Sequence, residues 1–401
     1  MHFSLPTFLR RVPSESLAGY FEARGFNTVA AVQRKASGRQ GVEGVRQAIE
    51  SLPERELLSV YDDFDRACQL ADDTGQLALR ALIGDAPELL EALSDIDGHE
   101  GRALLVLLHQ PDAFDRALSA AYADRLIDGK YWDRFSLVGF ASADAPLDLA
   151  ETLVREIQNL FRAFDGSGRR VFIDHFDRPG GLLFSSTSER LVQYTVYVEA
   201  LPESSIEIGE DGPARRTLRP AREAALCLDC GSGILDVMSK GGRRLREGIA
   251  GAFAQLALGD ASKIERVQRR DFHLDRLKRP IPFPTDQADG IETVRVIRLG
   301  LAPANEGYGR LTIEIAKTSE EPIHSVSKRW LGWAEPIERV EWRVIQATLR
   351  IAFHPEAGGG RRKIVNVSLR SPNGSDLRNQ RWRHQLISEK YLVRWGLAPP
   401  K

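Results

Sequence analysis

Residues 161–176, FRAFDGSGRRVFIDHF, contain the point at which the chain changes from one kind of secondary structure to another. Before Asp165 the apolar residues recur at intervals of three and four, which is the helical period. After Arg169 they alternate with polar residues, which is the period of a strand. The glycines between the two patterns interrupt both. This stretch therefore predicts that a helical region ends here and that a sheet begins.

Upstream of this point, residues 4–163 have the pattern of an all-helical region. Helices are predicted over 15–24, 42–52, 53–71, 74–83, 86–93, 100–109, 112–127 and 147–164. Apolar stripes at helical spacing, such as Phe114, Leu118 and Tyr122, are expected to form a core rather than to contact a cofactor. We predict an acidic all-helical domain over 1–164.

Downstream of this point, two groups of strands are predicted, each followed by a helix. The first group has strands over 170–176, 181–186, 191–200, 224–228 and 233–238, and a helix over 242–258. The second follows the proline-rich residues 280–284 and has strands over 291–301, 310–316, 343–354 and 363–370, and a helix over 375–395. We predict a multidomain α + (α+β) fold, in which two antiparallel-sheet-plus-helix units, 165–279 and a basic 285–401, follow the helical domain.

The composition places the chain among ordinary globular proteins. It has 401 residues, of which 42% are hydrophobic and 28% are charged. No apolar run approaches the roughly 18 residues that a membrane helix needs, so we expect no membrane contact. No basic stretch followed by an apolar core occurs near Met1, and the three cysteines are an odd number, as is common in a reducing compartment. We therefore expect a cytoplasmic location.

The charge is distributed unevenly along the chain. Residues 1–150 carry a formal net charge of −9, residues 151–350 carry +1 and residues 351–401 carry +7. Such a gradient favours contact of the basic end with a polyanion, contact of the acidic end with a basic partner, or contact of the two ends with each other. A solvated surface with uneven charge explains it equally well.

Two segments have the composition of an anion-binding surface. Ser239-Lys-Gly-Gly-Arg-Arg244 lies between a predicted strand and a predicted helix, where glycines and a helix amino terminus favour anions. The carboxy-terminal segment is the richest in cations, and its Trp382 and Trp395 are expected to pack on the sheet. The residues predicted to contact phosphate are Lys240, Arg243, Arg244, Arg361, Arg362, Lys363, Arg378, Arg381 and Arg383. Neither a P-loop nor a GxGxxG motif is present, and we expect no cofactor.

The sequence resembles a family of uncharacterised bacterial proteins over almost its full length. The resemblance is carried by RLVQYTVYVEALPESSIEI, RRTLRPAREAALCLD, GILDVMSKGGRRLREGIAGAFAQLALG, DGIETVRVIRLGL and SLRSPNGSDLRN. It implies the same helical front and two-part α+β rear, and a setting beside mobile-element and phage-defence genes. It implies no activity, cofactor or catalytic residue. The pair Cys227 and Cys230 departs from the family, which lacks cysteines there.

Three further motifs are weaker. Asp174, His175 and Asp177 place possible metal ligands on one strand, although no second histidine cluster completes a site. Cys227 and Cys230 have the spacing of half a zinc site, but they lie at a predicted hairpin and have no second pair. Glu314 and Lys317 are spaced by three, so a strand would direct them to opposite faces and no nuclease core would form.

The leading hypothesis from the sequence is a non-enzymatic interaction or sensor protein that binds nucleic acid through its basic carboxy-terminal face. One alternative is a regulatory or scaffold subunit that docks a protein partner through the acidic helical domain. The other is a metal-dependent hydrolase or nuclease that uses Asp174, His175 and Asp177. The oligomeric state is left open.

Overall fold

The computed structural model describes residues 3–36, 38–84, 86–127, 129–140, 150–179, 190–209, 212–268, 271–304, 309–316, 318–331, 341–355, 362–377 and 380–399. The chain divides into two compact units, Met1–Val267 and Gln268–Lys401. The predicted fold class is confirmed, because a helical region precedes two antiparallel sheets with helices. The domain boundaries predicted at 164/165 and 285 stay predictions.

The first unit begins with a bundle of helices around an aromatic core. Phe8 stacks on Phe64 with ring centroids 4.3 Å apart, and Tyr20 lies 5.1 Å from Phe64. Two helices that the sequence did not predict, the first and third, have only seven and nine residues, too few for their period to stand out. The helices described here are α1 (Leu5–Arg11), α2 (Ser14–Ala23), α3 (Asn27–Lys35), α4 (Gly38–Glu50), α5 (Glu54–Gln69), α6 (Asp73–Leu82), α7 (Pro87–Asp95), α8 (His99–His109) and α9 (Pro111–Leu126).

A six-stranded antiparallel sheet completes this unit, with strand order β2-β3-β6-β7-β1-β8. The strands of the unit are β1 (Trp132–Leu137), β2 (Val171–Pro179), β3 (Arg190–Glu199), β4 (Glu203–Gly209), β5 (Gly212–Leu218), β6 (Ala221–Asp229), β7 (Ile234–Ser239) and β8 (Ile264–Arg266). Two further helices, α10 (Ala150–Asp165) and α11 (Arg243–Leu258), accompany them. The strand predicted over 181–186 lies outside the described residues.

Both faces of this sheet are covered. On one face, Ile157 and Phe161 of α10 and Phe253 of α11 pack against the strands in a shared hydrophobic core. On the other face, Ala123 of α9 packs with Trp132 and other residues of the sheet. The sheet is therefore a buried layer between the helical region and the helices α10 and α11.

Strand β1 lies inside the range 1–164, where the sequence predicts helices throughout. It pairs with β7 and β8 and so belongs to the sheet. The local sequence pattern does not predict this strand, because it contains two charged residues. Both are neutralised by partners that are distant in the chain. Asp133 accepts hydrogen bonds from Arg246 at 2.6 Å, and Arg134 donates to Asp236 at 2.8 Å.

Strands β4 and β5 form a separate two-stranded ribbon between β3 and β6. Its residues are mostly exposed, including the apolar Ile206 and Ile208, whose exposed fractions are 60% and 88%. The ribbon is held by its own backbone hydrogen bonds and by the Arg216–Glu207 ion pair at 3.0 Å. It therefore adds little to the core.

The second unit contains a five-stranded antiparallel sheet of order β10-β9-β11-β12-β13. One face carries the core, in which Leu299, Leu349 and Val367 meet Tyr391 and Trp395. Its elements are β9 (Ile291–Pro303), β10 (Leu311–Glu314), α12 (Ile323–Leu331), β11 (Trp342–Phe353), β12 (Ile364–Arg370), β13 (Gly374–Ser375) and α13 (Trp382–Arg394), with a 3₁₀ helix at Leu274–Lys278.

The last helix begins later than the predicted residue 375. Gly374 and Ser375 instead pair with the end of β12, and the Asp376 carboxylate accepts the backbone N–H of Ser368 at 2.7 Å. These contacts keep the chain extended, so the helix begins at Trp382. Within the described ranges, no helix has the length and apolar character needed to cross a membrane.

A buried ion pair joins the helical region to the first sheet. The Arg178 guanidinium on β2 donates to both carboxylate oxygens of Asp124 on α9, at 3.0 and 2.8 Å. Only 7% of the Arg178 side chain and 1% of the Asp124 side chain are exposed. Arg178 also donates to Gln193 at 2.9 Å, and Gln193 donates to the Ser119 carbonyl at 3.0 Å. This network fixes α9 against β2 and β3.

We expect Asp124→Ala to lower the free energy of unfolding by about 3–5 kcal/mol, because it leaves the Arg178 charge buried without a counter-ion. Urea unfolding followed by circular dichroism measures this change. Asp177→Ala is the matched control, because its pair with Arg190 is exposed and its loss should cost less than about 1 kcal/mol. Equal losses in the two variants would contradict the structural role of Asp124.

Candidate nucleic-acid interface

The predicted anion-binding loop connects β7 to α11. Gly241 and Gly242 have φ angles of +127° and +89°, in the region that favours glycine. A Cβ atom at Gly241 would collide with Leu245. The glycines therefore allow the chain to turn directly from strand to helix, and Lys240, Arg243 and Arg244 are all exposed on this turn.

The three cations of the loop differ in their partners. Arg243 forms an ion pair with Glu247, one turn along α11, at 2.9 Å. Lys240 and Arg244 form no ion pair with any residue that the structure describes. Arg246, which the sequence did not single out, is instead buried against Asp133. The loop thus presents two cations that have no ion-pair partner in the described part of the chain.

The predicted carboxy-terminal cations belong to the second unit. Arg362 forms an ion pair with Glu292 at 2.8 Å. Lys363, Arg381 and Arg383 are exposed and have no ion pair among the described residues. Arg361 and Arg378 lie outside the described residues. The structure therefore brings Arg362 and Lys363 to the start of β12 and places Arg381 and Arg383 at the start of α13.

Two other cations of this segment are neutralised by the fold. Lys390 contacts both Asp286 and Asp289 at 2.7 Å, and Arg394 contacts Asp286. Hydrogen bonds from Arg394 and Lys390 lower the pKa of Asp286 to about 2. The positive charge counted from the sequence is therefore larger than the positive charge on α13 that is left without an ion pair.

The described aromatic side chains at the end of α13 lie in the core of the second unit. Trp395 is 3% exposed, and its indole N–H donates to the Pro284 carbonyl at 3.1 Å. This confirms the prediction that Trp395 packs on the sheet. Leu386, by contrast, is 43% exposed, and the side chain of Trp382 lies outside the described part of the chain.

A further basic surface is one that the sequence did not single out. It is the face of the second sheet opposite the core, where arginine and hydroxyl side chains from three strands lie together. We call it the arginine face, and it consists of Arg295, Arg298, Thr348, Arg350, Ser368 and Arg370.

The strand register places these side chains beside one another. Arg350 on β11 lies directly opposite Arg295 on β9 and opposite Asn366 on β12. Thr348 lies opposite Arg298 and opposite Ser368. Directly opposed residues point to the same side of a sheet, with Cβ atoms about 5 Å apart. Positive charge is therefore concentrated across β9, β11 and β12.

The arginines of this face are only partly neutralised. Arg298 forms an ion pair with Glu314 at 2.6 Å, and Arg295 donates to the Ser319 carbonyl. Arg350 is half-buried and Arg370 is exposed, and neither has an ion pair with a residue in the described ranges. A signal for this face was present in the sequence, since Arg295, Arg298 and Arg350 are among the polar positions of the predicted strands 291–301 and 343–354.

The alternative metal site is not assembled by the described residues. His175 stacks on the Tyr194 ring at 5.9 Å, and Asp177 forms an ion pair with Arg190 at 3.2 Å. Asp174 lies on the opposite face of β2 from both, as strand alternation requires. No group of three potential ligands that could hold a metal ion occurs among the described residues.

The other two sequence motifs are the cysteine pair and Glu314 with Lys317. Cys227 and Cys230 are free thiols at the end of β6, as the hairpin prediction placed them. They belong to different hydrophobic clusters, on the two sides of the sheet. Burial raises the pKa of both, which is unfavourable for a metal-binding thiolate. Glu314 pairs with Arg298, and Lys317 lies outside the described residues.

Comparison of the sequence with protein-family models finds no match, and neither does comparison with curated proteins. Function is therefore inferred from the charges and shapes of the described surfaces.

One titratable group lies beside the loop cation Lys240. Ala224 pairs with Ser239, so Glu223 and Lys240 occupy the next positions at the same end of β6 and β7. Glu223 is half-buried, and the Tyr122 hydroxyl donates to its backbone carbonyl at 3.2 Å. Burial raises the pKa of the Glu223 carboxyl to about 7, and the nearby Lys240 charge opposes the rise.

We expect Glu223→Gln to stabilise the protein above about pH 7 and to have little effect near pH 5. A raised pKa in the folded state means that wild-type stability falls as the pH rises towards that pKa, and the amide removes this dependence. Solvent screening limits the gain to about 1 kcal/mol. Thermal unfolding at both pH values measures the effect.

The control for this experiment is Glu203→Gln, the same substitution at an exposed position of the ribbon. It should behave like the wild type at both pH values. A Glu223→Gln variant whose difference from the wild type is the same at both pH values would contradict the assignment.

Proposed function

We propose that the protein binds nucleic acid through the arginine face of its second unit, as an interaction or sensor protein without catalysis of its own. The setting in bacterial phage defence that the family resemblance implies is part of this proposal. The observation that carries it is the direct opposition of Arg295 and Arg350 across two strands.

Opposed like charges destabilise a sheet, so this arrangement has a cost in the free protein. An anion that contacts both guanidinium groups removes the cost and gains charge-assisted hydrogen bonds. Phosphate matches the planar fork of donors that arginine presents. A polyanion with regularly repeated phosphates is therefore the ligand that this face fits best.

The kind of recognition follows from the other side chains on the face. Thr348 is buried, and its hydroxyl lies 3.4 Å from that of Ser368. The described residues of the face include no aromatic ring on which a base would stack. Contacts to phosphate and sugar position a nucleic acid without reading its sequence. We therefore expect binding that depends strongly on salt and weakly on sequence.

Other cations extend the proposed interface. In the second unit these are the exposed Lys363, Arg381 and Arg383, with Arg361, Arg362 and Arg378 completing the predicted set. In the first unit, Lys240, Arg243 and Arg244 form a smaller cationic turn at the amino terminus of α11, where backbone N–H groups also favour anions.

A second candidate function is docking of a protein partner by the helical region, as a regulatory or scaffold subunit. It is favoured by a groove of about 440 Å³ beside α7 and α8. Leu89, Ala92 and Leu105 line this groove, and Glu88 and His109 lie at its polar positions. The net charge of −9 over residues 1–150 fits a basic partner.

We expect fluorescence anisotropy of the full chain to detect binding of labelled duplex DNA, single-stranded DNA or RNA, with an affinity that falls steeply as salt rises. Arg350→Ala and Arg370→Ala should each weaken binding and reduce the slope of log affinity against log salt by about one unit, because each removes one phosphate contact.

Arg394→Ala provides the matched control, since it removes an arginine that Asp286 already neutralises. It should leave both the affinity and the salt slope unchanged. If none of the three nucleic acids binds at low salt, or if Arg350→Ala binds as tightly as the wild type, the proposed interface is wrong.

A further inference from the structure

A cleft of about 260 Å³ lies at one end of the second sheet, within the second unit. Its walls come from the 3₁₀ helix and the residues before it, from the start of β11 and from the residue after β12. The side chains that matter for its chemistry are Phe272, His273, Arg276, Arg343, Ile345 and Ser371.

A β-bulge shapes this cleft. Val344 lies opposite Leu301 and Gln346 lies opposite Gly300, so Ile345 is an extra residue on β11. Bulges bend a strand and redirect its side chains, and they are common beside functional sites. The walls are then joined by backbone hydrogen bonds. The Ser371 N–H donates to the Ile345 carbonyl at 2.9 Å, and the Phe272 N–H donates to the Pro372 carbonyl at 2.6 Å.

The charge of the cleft is positive. Arg276 and Arg343 are exposed, and neither forms an ion pair with a residue that the structure describes. Asp275 is the acidic residue in the lining, and its carboxylate accepts the Val344 N–H at 2.7 Å and lies 3.6 Å from the Lys278 ammonium. The lining therefore carries two arginines and one carboxylate, an excess of positive charge.

Arg276 lies close to the chain at Gly396, near the carboxy-terminal end of the last helix. A Cβ atom at Gly396 would lie 2.9 Å from the Arg276 Cζ, so the guanidinium rests against the Gly396 backbone. Gly396 also has a φ angle of +68°, which favours glycine. A side chain at position 396 would therefore displace the Arg276 guanidinium.

We propose that this cleft binds the phosphomonoester of a nucleotide, carried either at the end of a nucleic-acid strand or by a free mononucleotide. Arg276 and Arg343 would bind the phosphate, with the Ser371 hydroxyl as a further donor. Phe272 and Ile345 supply an apolar wall for the sugar or base. The volume lies just below the usual range of about 300–1,000 Å³ for ligand pockets, so it suits one small group rather than an extended chain.

The proposal that the cleft binds the end of a nucleic-acid strand rests on the proposed function. Arg370 of the arginine face directly precedes Ser371 in the chain, and Gln346, which lies opposite Arg370, directly follows Ile345. The cleft therefore lies at the same end of the sheet as Arg370 of the arginine face. A strand whose terminal phosphate lies in the cleft would pass onto that face at its next phosphates.

Isothermal titration calorimetry of the full chain tests the inference with short single strands of one sequence, phosphorylated at the 5′ end, at the 3′ end or at neither. We expect one phosphorylated strand to bind about tenfold more tightly than the unphosphorylated strand, as charge-assisted hydrogen bonds to a dianion predict. Arg276→Ala and Arg343→Ala should abolish this ratio. Arg350→Ala should weaken all three strands and preserve it.

Binding of nucleoside 5′-monophosphates is measured last. It distinguishes the proposal for the cleft from the proposed nucleic-acid interface. If no strand binds but a monophosphate binds and Arg343→Ala removes that binding, the cleft is a free-nucleotide site and the proposed nucleic-acid interface is wrong. If the three strands bind equally and no monophosphate binds, the cleft inference is overturned while the arginine face stands. If nothing binds, both are overturned.

Discussion

An antiparallel sheet has to bury one of its faces to be stable, but it does not have to bury the other. The two sheets of this protein use that freedom differently. The first is covered on one side by α10 and α11 and on the other by α9, and it is an internal layer. The second carries its described core on one side only, through Leu299, Leu349 and Val367. Its other side is the arginine face, and this difference leaves charged side chains on the second sheet that the first sheet has no room for.

The charges of the first sheet are matched within the protein. Arg178 faces Asp124, Asp133 faces Arg246, and Asp236 faces Arg134. A buried charge without a partner is strongly unfavourable, so each of these residues is explained by the fold. On the arginine face the pattern is reversed, because Arg350 lies beside another arginine and has no described counter-ion. Matching charges to partners in this way distinguishes residues that serve the structure from residues that are available to a ligand.

The sequence predicted those parts of the fold in which one side of an element is uniformly apolar. The strands β3, β9 and β12 and the helix α11 agree with the predicted ranges to within about two residues. The sequence did not predict strand β1, because Asp133 and Arg134 form ion pairs with residues distant in the chain, which no local pattern reveals. The cations of the loop after β7 were predicted, but the arginine face was not. Its alternation is visible in the sequence, whereas the opposition of Arg295 and Arg350 depends on a shift of register at Ile297 that only the folded backbone establishes.

The ribbon of β4 and β5 is inserted between two strands that pair with each other without it. The last described pair of β3 and β6 joins Glu199 to Ala221, at the base of the ribbon. Opening the ribbon therefore leaves the described pairing of β3 and β6 in place. The amide hydrogens of the ribbon should exchange with solvent well before those of β3 and β6. A protease that cuts between β4 and β5 would leave two fragments still held together by the sheet. The same position would accept an inserted tag or a new pair of chain ends, so the protein can be labelled there while β3 and β6 stay paired.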